Sequence, residues 1–245
     1  MILSVARKFV FIKGYKVAGT SIEIALARFC GPNDIITPLL PVDELRRVQA
    51  GGACRNYSRN PAFETAFVEF LATAAPADLA SMRPPTPIFY NHMSLREVAQ
   101  LYPGSLSGFK LVCAERSPYA KVISWLNMQN SIAAYRGGGD MKSDPEALRE
   151  TFDRASGGIG TVKNIGRYRD DDGRLTVRVI RYETLQRDFD AFLTDLGVAP
   201  VELPHAKMGL MSNSLDPRDV FRRDQIDAIN AIFDEEFSAF GYEPI

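Results

Sequence analysis

A short apolar run, Phe9-Val10-Phe11-Ile12, leads directly into a glycine-containing loop and then into ten residues with helical spacing. This juncture constrains the fold more than any other part of the chain. Four consecutive apolar residues without alternation read as a strand buried on both faces. From Thr20 to Phe29, the side chains of Ile22, Ala25, Leu26 and Phe29 fall on one helical face, and Gly31-Pro32-Asn33 stops the helix. Between strand and helix lies Gly14-Tyr15-Lys16-Val17-Ala18-Gly19-Thr20-Ser21. A strand–loop–helix brings backbone N–H groups and the positive end of the helix dipole to one spot, which favours an anion. Thr20 and Ser21 add hydroxyl donors, and Lys16 adds a mobile positive charge. The alternative is a plain turn in which Gly14 and Gly19 only serve the backbone.

The rest of the chain alternates in the same way. Residues 42–83 read as irregular helix broken by Gly51-Gly52 and Pro76, and Ile88-Phe89-Tyr90 as a second strand. Ser94–Leu101 reads as a short helix with Ser94 as N-cap and Glu97 closing a capping box. Phe109–Ala114 is a third buried strand, followed by Ser117-Pro118 as N-cap and first-turn proline of a helix reaching about Tyr135. Residues 136–166, rich in glycine and charge, read as a long mobile loop of the kind that often forms a lid. Asp170-Asp171-Asp172-Gly173 is a solvated turn. A fourth strand, Leu175–Arg181, turns Val177 and Val179 inward. A helix over Leu185–Leu196 stops at Gly197, and a last amphipathic helix covers Asp224–Phe240. Trp125, Phe237 and Phe240 fit a core at helical spacing. Strands alternating with helices predict an α/β fold with a parallel sheet covered on both faces. Length allows one such domain or two small ones, and with no internal repeat a single domain over 1–245 is expected.

Composition narrows the function classes. The 245 residues carry 29 Lys and Arg against 30 Asp and Glu, a net charge of −1. A dedicated nucleic-acid binder ordinarily shows a basic excess, so no nucleic-acid partner is expected. Three cysteines (Cys30, Cys54, Cys113) form no close pair, and two histidines (His92, His205) are too few for a histidine-rich metal site. The apolar run after Arg7-Lys8 is too short for a secretory leader, and no stretch approaches the roughly twenty apolar residues of a membrane span. The expectation is a soluble, cytoplasmic protein of a reducing compartment. Arg46, Arg47, Arg55 and Arg59 can line a basic pocket, though scattered arginines ordinarily sit at the surface.

The first loop has the GxxxxG spacing of the nucleotide-hydrolase P-loop, but Thr20 stands where that motif has its lysine. The stretch Lys16-Val17-Ala18-Gly19-Thr20-Ser21 instead resembles the 5′-phosphosulfate loop of sulfotransferases, of the form K-T-G-G-T-S, and departs from it at Val17 and Ala18. The text Arg116-Ser-Pro-Tyr-Ala-Lys121-Val-Ile-Ser124-Trp125 is similar to the same family's 3′-phosphate motif. Ser117 and Trp125 replace the usual residues at their positions. Arg181-Tyr182-Glu183-Thr184-Leu185 and the segment around His205 and Lys207 resemble later parts of carbohydrate-type and bacterial sulfotransferases. Residues 33–85 and 131–163 match no motif and are the expected acceptor-binding or lid regions.

The resemblance implies a P-loop NTPase-like fold and 3′-phosphoadenosine 5′-phosphosulfate (PAPS) as donor. A sulfuryl group would pass in line to an acceptor hydroxyl, of a saccharide or another small molecule, without a metal, leaving the 3′,5′-bisphosphate (PAP). It implies donor binding by Lys16, Val17, Ala18, Gly19, Thr20, Ser21, Arg116 and Ser124, with His205 and Lys207 near the nucleotide. Arginine suits the 3′-phosphate because its fork makes paired charged hydrogen bonds, and Ser124 adds a neutral donor. Lys16 suits the negative charge that builds on the bridging oxygen. The acceptor hydroxyl needs a general base, and His92 is the expected one. Two alternatives stay open: an ATP-dependent P-loop kinase, and a nucleotide-binding protein without catalysis.

Overall fold

The computed structural model describes residues 1–79, 82–137, 140–141, 143–204 and 215–245. In chain order these form β1 (Ile2–Ser4), β2 (Phe9–Ile12), α1 (Gly19–Ala27), β3 (Ile35–Ile36), α2 (Pro41–Gln49), α3 (Pro61–Thr73), α4 (Pro76–Leu79), α5 (Leu95–Leu101), β4 (Lys110–Glu115), α6 (Pro118–Gly137), α7 (Pro145–Ala155), α8 (Ile165–Tyr168), β5 (Arg178–Arg181), α9 (Leu185–Asp195), α10 (Pro217–Val220) and α11 (Arg223–Phe240). The architecture is α/β, a five-stranded sheet in the order β3-β1-β2-β4-β5 flanked by helices. Among the described residues no helix is long and apolar enough to cross a membrane.

The chain divides into two compact units. The first comprises residues 1–14, 18–114 and 167–204 and holds the sheet. All four residues of β2 are buried, as a strand covered on both faces requires. Phe9 meets the ring of Phe192 on α9 edge-on, with centroids 5.8 Å apart. β2 and β4 run parallel, Val10 beside Leu111 and Ile12 beside Cys113, so their carboxyl ends share one edge of the sheet. The second unit comprises residues 15–17, 115–166 and 215–245. Its core packs Val122, Trp125 and Leu126 of α6 with Leu148 and Phe152 of α7 and Ile229, Phe233 and Phe237 of α11.

Several expectations need correction. The sheet is mixed, not parallel, because β1 pairs antiparallel with both β2 and β3. The β1–β2 turn, Val5-Ala-Arg-Lys8, contains neither glycine nor proline. Lys8 takes the left-handed conformation (φ 54°), and the Asp34 carboxylate accepts from Ser4 Oγ and Val5 N, both at 2.7 Å. Ile88-Phe89-Tyr90 is not a strand. Ile88 N and Phe89 N both donate to the Tyr57 carbonyl, and the proline-rich approach has too few donors for a ladder. The described part of the 136–166 stretch holds α7 and a 3-10 segment over Ser156–Val162 rather than an open loop. Asp144 caps α7 by accepting from Ala147 N at 3.0 Å, Pro145 opens it, and Leu148, Thr151 and Phe152 form its buried face. β5 spans only Arg178–Arg181 of the expected strand, and its buried residue is Ile180; Val179 and the preceding Val177 are half-buried. Arg47 is fully buried, its guanidinium paired with Glu44 and donating to the Thr37 carbonyl at 2.8 Å.

Other local readings hold. Ser94 caps α5 and Glu97 closes the box, with Ser94 N donating to Glu97 Oε2 at 2.7 Å. Gly197 (φ 68°) stops α9, and Trp125, Phe237 and Phe240 are buried.

Candidate functional site

The loop after β2 turns through two left-handed residues, neither of them glycine: Lys16 (φ 62°) and Ala18 (φ 60°). Left-handed backbone costs a residue with a Cβ about 1–2 kcal/mol. Ala18 is the N-cap of α1 and offers no side-chain cap, and no acidic residue occupies the helix's first turn. A helix start capped by Ser, Thr or Asp would satisfy its first donors internally. Ala18 provides no such cap, which suits the start of α1 to an anion. Gly19 is required by packing. A Cβ there would come within 2.6 Å of Lys13 Cγ, and Lys13 cannot yield because its ammonium is held at 2.7 Å by Glu23 Oε2. Burial alone would raise the Glu23 carboxyl, but Lys13, the Met1 amino group and Arg47 together hold it down at about 2.

Of the remaining loop residues, Val17 and Thr20 are buried and Ser21 is half-buried. Ala18, Gly19, Thr20 and Ser21 belong to the first unit, Lys16 and Val17 to the second. His92 also belongs to the first unit. It does not stand at a strand end, as the sequence suggested, but in a turn at φ 64°. Its Nδ1 lies 3.2 Å from the Lys13 carbonyl, immediately after β2. A carbonyl only accepts, so Nδ1 carries the proton and Nε2 keeps the lone pair. The His92 carbonyl in turn accepts from Arg167 Nη1 at 2.7 Å. Burial, and secondarily the Lys13 ammonium, push the imidazole down to about 3, with Glu23 opposing. The ring is therefore neutral at physiological pH and weakly basic.

The second unit carries the other motif. Arg116, 3% exposed, follows the last residue of β4, and its backbone N–H donates to Glu115 Oε1 at 2.9 Å. Ser124 is half-buried on α6. Lys121, which falls at the basic position of the resembled motif, faces no solvent. It is fully buried and bridges Glu115 (2.7 Å) and Glu236. Burial pushes the Glu115 carboxyl up to about 7 against the pull of Lys121, and Glu236 adds to the rise.

Two residues outside the sequence reading stand out. Asn164, fully buried, contacts the backbone of Tyr15 and the Glu115 carboxylate. Asn127, 1% exposed and one helical turn beyond Ser124, leaves both carboxamide atoms without a hydrogen-bond partner among the described residues. The sequence carried no signal for either, since an isolated asparagine ordinarily reads as a surface or turn residue. His205 and Lys207 lie outside the described residues. In the unmatched segment 33–85 and just beyond it, Ser58, Arg59, Asn60, Phe63 and Pro84–Ile88 line a surface cavity of about 720 Å³.

The second unit thus brings the Lys16 segment and the Arg116 segment onto one buried polar cluster through Asn164. The first unit brings His92 to the end of β2. No family model matches the chain, and no curated protein matches its sequence.

Proposed function

We propose that this protein is a sulfotransferase that moves a sulfuryl group from PAPS to an acceptor hydroxyl on a P-loop-like α/β scaffold. One observation carries the reading: two parallel neighbouring strands end in the two phosphate-type motifs. β2 opens into a lysine-bearing loop and a helix start without a side-chain cap, and β4 ends at a buried arginine. In open α/β sheets, ligands bind beyond the carboxyl ends of the strands. The uncapped first turn of α1 suits a phosphosulfate, and a buried guanidinium of the Arg116 kind suits a phosphate by its paired donors.

In this reading the first-turn N–H groups of α1, with Thr20 and Ser21, bind the 5′-phosphosulfate. Lys16 neutralises the charge that develops on the bridging oxygen as the S–O bond breaks. Arg116 and Ser124 bind the 3′-phosphate, which separates PAPS from ATP. Neutral His92, its Nδ1–H held by the Lys13 carbonyl, accepts the acceptor's proton at Nε2.

A second reading, nucleotide binding without transfer, is favoured by the low basicity of His92. A general base works best with a pKa near the operating pH. Isothermal titration with PAP, against ADP plus magnesium, tests the donor. The expected result is PAP binding that is lost in Arg116→Ala. Binding of ADP with magnesium and not of PAP would replace this reading with a kinase-like one. PAP binding without sulfuryl transfer from PAPS to any of a panel of saccharide and phenolic acceptors would favour the second reading.

A further inference from the structure

We propose that Asn164 is a positioning residue that sets the backbone of Lys16 against the strand end bearing Arg116. This rests on the sulfotransferase reading above. Tyr15 N donates to Asn164 Oδ1 at 2.7 Å, and Asn164 Nδ2 donates to the Tyr15 carbonyl at 3.1 Å. The carboxamide therefore grips both polar groups of one backbone residue, as a neighbouring strand would. The Tyr15 carbonyl belongs to the peptide whose nitrogen is that of Lys16, so the clamp orients the Lys16 peptide plane directly. Lys16 sits in the left-handed region (φ 62°), a conformation that persists only where the surroundings hold it.

The clamp is itself anchored. Asn164 Nδ2 also lies 3.4 Å from Glu115 Oε2, the residue before Arg116. Asn164 N and Ile165 N both donate to Glu236 Oε1, the latter at 2.9 Å. Lys121 joins the two carboxylates from the other side. Glu115, Lys121, Asn164 and Glu236 are all fully buried. A buried network of this kind is rigid while every member is satisfied. Asn164 touches both the residue before Lys16 and the residue before Arg116. Its proposed effect on the nucleotide runs through those two residues.

The test is a double-mutant cycle on PAP affinity with Asn164→Ala and Lys16→Ala. Asn164→Ala is expected to weaken PAP binding about tenfold, the scale of one or two backbone hydrogen bonds. In the Lys16→Ala background the same change is expected to cost less than about twofold, because contacting residues are non-additive. A merely structural asparagine would cost the same in both backgrounds, and that result overturns the proposal. The milder Asn164→Ser, whose hydroxyl can meet one of the two Tyr15 groups, is expected to fall between wild type and alanine. It carries the cycle if Asn164→Ala does not fold. A wild type that binds no PAP overturns the functional reading and this proposal together. A wild type that binds PAP as tightly as Asn164→Ala does overturns the positioning role alone.

Discussion

At the residue scale the loop after β2 shows two opposite uses of small side chains. Gly19 is small because Lys13 fills the space where its Cβ would stand. Gly19→Ala is expected to destabilise the fold by about 2 kcal/mol, the usual cost of forcing volume into a locked site. Ala18 faces the reverse situation, since its backbone is left-handed and its Cβ only adds strain. Ala18→Gly is expected to stabilise by up to about 1 kcal/mol, where alanine-to-glycine changes ordinarily destabilise. Chemical denaturation of both variants checks the two signs. Asn127 offers a third case. Its buried carboxamide has no partner among the described residues, so Asn127→Leu, of similar volume, is expected to raise stability by about 1 kcal/mol in the unliganded protein. An unchanged or lowered denaturation midpoint would show that the carboxamide is satisfied after all.

At the element scale the Glu115–Lys121–Glu236 cluster ties the end of β4 to α6 and α11. Lys121→Met leaves two buried carboxylates without their cation. The expected loss is about 3–5 kcal/mol near neutral pH, and less in acid, where Glu115 takes up a proton. The wild type shows a weaker form of the same dependence. Glu115 holds its proton to about 7 in the folded state, against an ordinary 4.5. The folded state therefore binds more protons across that window, and this contribution to stability is lost as pH rises through it. Unfolding of wild type and Lys121→Met at pH 5 and pH 7.5 checks both statements.

At the scale of the whole molecule the two units carry opposite proton linkage. His92, in the first unit, titrates near 3 when folded and near 6.5 when unfolded. The unfolded state binds the extra proton there, so the first unit loses stability as pH falls below 6.5. Glu115 makes the second unit gain stability over the same fall. Native-state hydrogen exchange, corrected for intrinsic rates, is expected to show amides of β2 losing protection and those of α6 gaining it between pH 7 and 5. Movement of both in the same direction would show that neither group governs its unit in this range.

The sequence by itself determined the local events. The β2 strand, the helix starts at Ser94 and Pro118 and the stop at Gly197 all follow from contiguous residues. Hydrophobic period, capping chemistry and proline placement act within one or two turns. The start of α7 at Asp144-Pro145 was equally local, but the surrounding glycines masked it. Tertiary structure decided what depends on distant partners. The β1–β2 hairpin exists because Asp34 holds a turn that lacks turn residues. His92 reaches the end of β2 from a turn, through the Lys13 carbonyl, without a strand to carry it there. Lys121 falls at the basic position of a motif read from contiguous residues, yet it lies buried between two glutamates, one of them 115 residues away. Burial of charge is fixed by which groups converge in space, and no local pattern records that convergence.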